Sequence, residues 1–323
     1  MSIFSNGKRY VNAEKAQKNQ RTMLTIIFTL IVVIIFALAI TLTLSSDETE
    51  KPKETLPEPT RFVEQETEMV KKGEEITIND PALGKIKIDA VAGFPKNTYI
   101  NDNFKLDSNG RMTYYTDKNE VASCMGVDLS EYQGVVDFYK LREQGFDFVI
   151  LRIGGRYYGE EGAMYVDTNY HNYYKLAKEA GLHVGGYFFS QAKNAEEGAQ
   201  EAEFVLDLIR GMDFDYPIAF DWEIIEDDKA RTDDVSGEDL TNAALAFCDI
   251  IKENGFNPII YSNTNLMYYK YDLERLKDVD FWVADYEKHP SMYYHFTMWQ
   301  YAIDGQVEGI NGNVDMNICL KNY

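Results

Sequence analysis

From residue 125 onward, two apolar periods alternate along the chain. Short apolar runs at Met125 to Ser130, Phe148 to Ile153, Val184 to Phe189, Tyr216 to Glu223 and Pro258 to Ser262 read as strands. The segments after them carry apolar residues at helical spacing: Val135 to Gln144, Thr168 to Ala180, a stretch opened by Asn194, a stretch opened by Ser236, and Asn265 to Leu276. Gly145 and Gly181 stand where helices end. Asn194 with Glu197 three residues on has the form of a capping box, followed by Ala202, Val205, Leu206 and Ile209 on one helical face. Ser236 precedes a face of Leu240, Ala244, Phe247 and Ile251. The helical period then stops, and Phe281 to Tyr286, Phe296 to Ala302 and Val314 to Cys319 read as three closing strands.

The prediction is an α/β fold: an irregular TIM-like barrel of five strand–helix units followed by three strands, occupying residues 124–323. An open doubly wound sheet is the competing arrangement. No GxGxxG follows any of these strands, so nothing points to a dinucleotide cofactor.

The pattern upstream is different. Residues 1–21 are polar and carry Lys8, Arg9, Lys15, Lys18 and Arg21 against Glu14 alone. Thr22 to Ser46 holds no charge and is long enough to cross a bilayer, which takes about 20 apolar residues. With the basic residues before it and Asp47, Glu48 and Glu50 after it, it reads as a transmembrane anchor at 22–46, with the N-terminus cytoplasmic and the rest of the chain extracellular. A signal peptide has a shorter apolar core, and Ala37-Leu38-Ala39 lies inside this one. Residues 47–80, with Pro52, Pro57 and Pro59, read as a charged spacer. Residues 81–123 read as a small β-extension, two short strands around Asn109-Gly110.

Composition narrows the partners. A net charge of −21 argues against nucleic acid, whose phosphates need Lys and Arg to neutralise them, and against electrostatic attachment to an anionic wall polymer. Cys124, Cys248 and Cys319 are too few for a disulfide scaffold and read as buried thiols, with Cys124 and Cys319 close if the domain closes on itself. No Cys or His cluster suggests a metal. Oligomeric state is not legible.

Acidic residues concentrate at predicted strand ends, where barrel enzymes carry their reactive groups. Strand alternation sets Asp221 and Glu223 on one face, Cα atoms roughly 6.8 Å apart, opposite Phe220 and Trp222. Asp128 ends the first strand, and Asp315 alternates with Val314 and Met316 on the last. In a closed barrel the first and last strands are neighbours, so four acids from three strands face one basin. Carboxyl pairs of this kind serve glycoside cleavage, one protonating the leaving oxygen and the other supporting positive charge on the sugar.

Gly126-Val127-Asp128-Leu129-Ser130-Glu131-Tyr132-Gln133-Gly134 resembles the opening motif of the family 25 glycoside hydrolases, the Chalaropsis-type lysozymes. Gly186-Tyr187-Phe188-Phe189-Ser190, Phe220-Asp221-Trp222-Glu223, Trp282-Val283-Ala284-Asp285-Tyr286, Trp299-Gln300-Tyr301 and Gly312-Asn313-Val314-Asp315-Met316-Asn317 follow in the family's order. The resemblance covers about residues 124–323. It implies an N-acetylmuramidase acting on peptidoglycan glycan strands at the β-1,4 bond between N-acetylmuramic acid and N-acetylglucosamine. It makes Glu223 the general acid, Asp221 its partner, and Asp128 and Asp315 supporting acids; partial burial and the negative field of Asp221, Asp128 and Asp315 are both expected to raise the Glu223 pKa. Tyr187, Trp282, Tyr286, Trp299, Gln300 and Tyr301 fall where the family lines its sugar groove, with barrel packing as their alternative role; Trp222 reads as core. Two other functions compete: a wall-binding protein on the same barrel that no longer turns over, and a membrane-tethered interaction module that uses the β-extension.

Overall fold

The structure is a computed structural model that describes residue 62, residues 68–80 and residues 83–323. The cytoplasmic tail, the anchor and most of the spacer expected from the sequence lie outside the described residues. Among the described residues, no helix is long and apolar enough to cross a membrane.

Eight strands close into a barrel: β5 (Cys124–Leu129), β6 (Phe148–Arg156), β8 (His183–Ser190), β9 (Ile218–Trp222), β10 (Pro258–Asn263), β11 (Asp280–Ala284), β12 (Met298–Gly305) and β13 (Val314–Cys319). Neighbours pair in parallel from β5 round to β12. β13 runs antiparallel to both β12 and β5 and closes the ring. The expected α/β barrel is therefore present, with one addition. β7 (Met164–Val166) folds back on β6 as an antiparallel flap outside the ring.

The helices sit where the apolar period placed them, the first, second and last of them shorter than the predicted runs. They are α1 (Phe138–Glu143), α2 (Tyr170–Glu179), α3 (Ala195–Leu208), α4 (Gly237–Glu253) and α5 (Thr264–Tyr269). Asn194 and Ser236 accept hydrogen bonds from the backbone N–H of Glu197 and Asp239, 3.1 Å each, satisfying donors that the first turn leaves orphaned. The single helix expected from Asn265 to Leu276 is broken: α5 ends at Tyr269 and a 3₁₀ turn follows at Leu273–Arg275. The Asp272 N–H donates to the Thr241 hydroxyl, and the Asp272 side chain caps that turn.

Alternation along the strands separates two cores. The outward faces pack under the helices. The inward faces carry Cys124, Phe148, Ile150, Ala219, Ile259, Trp282, Met298 and Cys319, which fill the barrel. Gly126 leaves room for this filling, because a β-carbon there would meet the Phe148 ring at 2.3 Å. Cys124 and Cys319 are register partners across the seam, and all three cysteines are buried, with no disulfide among the described residues.

The N-terminal part differs from the sequence reading. Strand structure is present before residue 81, within the stretch read as spacer. β1 (Glu75–Asp80) and β2 (Gly84–Asp89) pair as an antiparallel hairpin, with Ile76 and Ile78 buried. Their alternation with Glu75, Thr77 and Asn79 is a strand pattern that the surrounding charge obscured. Burying two such side chains contributes roughly 1.5–3 kcal/mol each. The second hairpin, β3 (Phe104–Leu106) and β4 (Met112–Tyr114), turns through Asn109-Gly110 as expected, with Gly110 at φ 75°. Both are fused to the barrel wall. The Val91 N–H donates to the Tyr294 hydroxyl, Asn97 Nδ2 to the Met292 carbonyl and Tyr293 Oη to Glu74 Oε1, while Phe94 packs edge-on against Tyr294.

Candidate active site

The last inward layer of the barrel, at the mouth, is polar. Asp128 from β5 faces Asp315 from β13 as a register partner. Because β13 is antiparallel, its beginning rather than its end lies at the mouth, which brings Asp315 to the same rim. Asp221 is buried at the end of β9, and Glu223, one alternation further, is half-buried at the rim. The four acids expected to converge do so.

The floor beneath them is a hydrogen-bonded lattice. Asp128 Oδ2 accepts from Gln300 Nε2 at 2.9 Å and from Asn317 Nδ2 at 2.8 Å. Gln300 Oε1 in turn accepts the hydroxyls of Tyr261 (2.9 Å) and Tyr286 (2.7 Å). Asn317 Oδ1 accepts the Trp282 indole N–H at 2.9 Å. Each side chain in this network is fixed by its neighbour, so Asp128 is held without freedom to turn. On the opposite wall, Arg152 pairs with Asp167 (2.8 Å) and Glu131 (3.1 Å) and lies 4.9 Å from the centre of the Tyr132 ring.

Clustering acids away from water moves their titration. Burial first, and then the neighbouring Glu223 charge, push Asp221 well above the ordinary carboxyl range; Arg152 opposes this. Burial raises Glu223 as well, while its hydrogen bond with Asp221 works the other way. Burial and the Asp315 charge push Asp128 well up, and Asp315 itself is raised to about 6, chiefly by burial. Of the two causes expected for a raised Glu223 pKa, burial is the one that keeps a proton available to it. One buried Asp221 oxygen, Oδ1, has no hydrogen-bond partner among the described residues. An acceptor left bare at the bottom of a cleft marks a place where a ligand donor fits.

The six residues expected to line a sugar groove divide by strand face. Tyr286 is exposed at the rim, and Gln300 and Tyr187 point into the barrel mouth. Trp282 also points inward but is 2% exposed; its ring lies against Tyr261 and Tyr187, so it supports the floor rather than lining the groove. Trp299 and Tyr301 lie on the other face of β12. Trp299 donates to the Asp285 carbonyl and meets Phe104 edge-on, while Tyr301 accepts the Met112 N–H and donates to the Gly110 carbonyl. These two hold the second hairpin to the barrel and do not contact the mouth. Trp222 is core, as expected, with its N–H on the Ala192 carbonyl. Tyr261 and Arg152 were missed. Both sit two residues beyond inward apolar positions, Ile259 and Ile150, and extending the same alternation would have found them.

A closed barrel whose mouth carries a protonatable acid beside buried carboxyls is the layout of a glycoside-cleaving enzyme. The profile of glycosyl hydrolases family 25 matches residues 127–310, and the chain belongs to that family. The match stops before β13, so the place of Asp315 rests on strand register instead. The chain is similar to the autolytic lysozyme of Clostridium acetobutylicum, 30% identical over 194 residues, covering 59% of this chain and 54% of that protein. It thus spans about half the length of that relative. Among solved structures it resembles in fold the spore cortex lytic enzyme SleM of Clostridium perfringens (TM-score 0.54, 23% identity, covering 62% of this chain and 68% of that one). It also resembles a family 25 glycosyl hydrolase from Bacillus anthracis (TM-score 0.53, 22% identity, covering 67% of this chain and 96% of that one).

Proposed function

We propose that the chain is a peptidoglycan hydrolase, an N-acetylmuramidase that cuts the β-1,4 bond between N-acetylmuramic acid and N-acetylglucosamine, held at the outer face of a cell membrane by residues 22–46. The observation that carries this reading is the pair on β9: a rim acid raised by burial next to a buried carboxyl with an unpartnered oxygen. Glu223 donates its proton to the glycosidic oxygen as the bond breaks. Asp221, Oδ1 bare, accepts a donor from the sugar, either stabilising the oxocarbenium-like centre or orienting the 2-acetamido group as an internal nucleophile. Asp128 and Asp315, the first fixed by Gln300 and Asn317, shape the basin below. The tether is supported by the uncharged run from Thr22 to Ser46 and the basic residues before it.

Mass analysis of fragments released from purified peptidoglycan by the full-length chain tests the bond. Fragments ending in reducing N-acetylmuramic acid are expected; fragments ending in reducing N-acetylglucosamine would refute the assignment. The pH profile gives a second check. The protonated form of Glu223 is the active one and its pKa is raised, so activity is full in mild acid and falls as pH rises through that pKa. The decline should approach tenfold per unit. A rate that stays level from about pH 5 to 9 speaks against Glu223 as the proton donor.

A further inference from the structure

A cavity of about 650 Å³ opens beside Glu223, between the loop that follows β9 and the end of α5. Its volume is in the range that holds small organic ligands. The lining is more ionic than a sugar platform requires: Lys270 on one side, Glu226 and Asp227 on the other, with the amides of Asn263 and Asn265 between. The Lys270 ammonium lies 5.1 Å from the centre of the Trp222 ring and forms no ion pair with any carboxylate among the described residues. In a chain of 53 acidic and 32 basic residues, a cation left unmatched on a cavity wall calls for an explanation, since carboxylates are the commoner group. The wall is also fixed from outside the family match. Tyr269, which lines the cavity, donates its hydroxyl to Asp80 Oδ2 of the first hairpin at 2.7 Å.

We propose that this cavity receives the carboxylate-bearing peptide carried by the muramic acid residue at the scissile bond. Lys270 takes a peptide carboxylate, Glu226 and Asp227 face its amino groups, and the first hairpin holds the Tyr269 side of the pocket in place. A neutral sugar offers neither charge, whereas a short zwitterionic peptide offers both. The inference rests on Glu223 being the glycan-cutting acid, since that places the cavity next to the cleaved bond.

The test compares the full-length chain on two substrates: peptidoglycan strands that keep their peptides, and the same strands stripped of peptide by an amidase, with the lactyl carboxylates that this frees capped as methylamides so that no new charge is offered. The wild type is expected to show kcat/KM about tenfold higher on peptide-bearing strands, mainly through KM, the amount one charge-assisted contact supplies. Lys270→Met should bring that ratio close to one, and Lys270→Arg should keep most of it. Equal cleavage of both substrates by the wild type overturns the inference while leaving the glycan-cutting assignment standing. A ratio unchanged in Lys270→Met also overturns it. Failure of the wild type to cut either substrate removes the parent assignment and this inference together.

Discussion

Glu223→Gln is expected to abolish measurable peptidoglycan cleavage, with kcat falling on the order of 10²–10⁴-fold while the chain stays folded and still retains glycan. The amide keeps the size and hydrogen-bonding reach of the acid but has no proton to give. Because Glu223 sits at the rim rather than in the packed core, the change opens no cavity. Burial holds its pKa up, so neutralising it relieves a desolvated carboxyl and leaves stability level or slightly higher. Release of soluble fragments measures the loss, and co-sedimentation with insoluble peptidoglycan measures retained binding. Full activity in this variant ends the assignment.

Asp128→Asn should separate stability from activity. The asparagine can still accept from Gln300 and Asn317, and its amide can donate toward Asp315 as a protonated Asp128 would. In the wild type, the folded pKa of Asp128 lies well above its unfolded value of about 4. The folded state therefore binds the extra proton, and stability falls as pH rises from about 4 through the folded pKa. The variant, with no proton to lose there, is free of that slope. It should match the wild type near pH 4 and exceed it by roughly 1–3 kcal/mol near pH 7 in urea unfolding. Activity should change little in mild acid, where the wild-type Asp128 is itself protonated, and fall below the wild type only as pH rises through the Asp128 pKa, where the amide cannot supply the negative charge a developing cation needs. A variant less stable than the wild type at both pH values would show that Asp128 is a structural ion and not a strained one.

Much of the barrel was legible because it obeys two simple periods. The inward acids Asp128, Asp221, Glu223 and Asp315 follow from alternation alone once the strands are placed. The Trp299-Gln300-Tyr301 motif misled for the same reason: three consecutive residues on a strand straddle both faces, so only Gln300 reaches the mouth. The orientation of β13 was not readable, since a strand pattern has no direction, and with it went the reason Asp315 meets Asp128. The first hairpin was hidden by composition. Glu74, Glu75, Lys85 and Lys87 give its sequence the charge of a linker, while the isoleucines between them do the packing. Burial was a legible cause of the raised Glu223 pKa, but its dominance over the neighbouring charges was not, because desolvation depends on depth, which no spacing reveals.

The seam between β5 and β13 carries a consequence for how the protein is made. Asn317 and Asp128 touch across 189 residues of intervening chain, and Asp315 joins the acids only when β13 docks. A ribosome-bound fragment that stops short of β13 lacks that strand, so its ring stays open, Asp315 is missing from the acids and Asp128 has lost its bond from Asn317. The complete four-acid basin therefore comes into being only once β13 has emerged, and a shorter nascent chain carries the Asp221 and Glu223 pair without its closed surround.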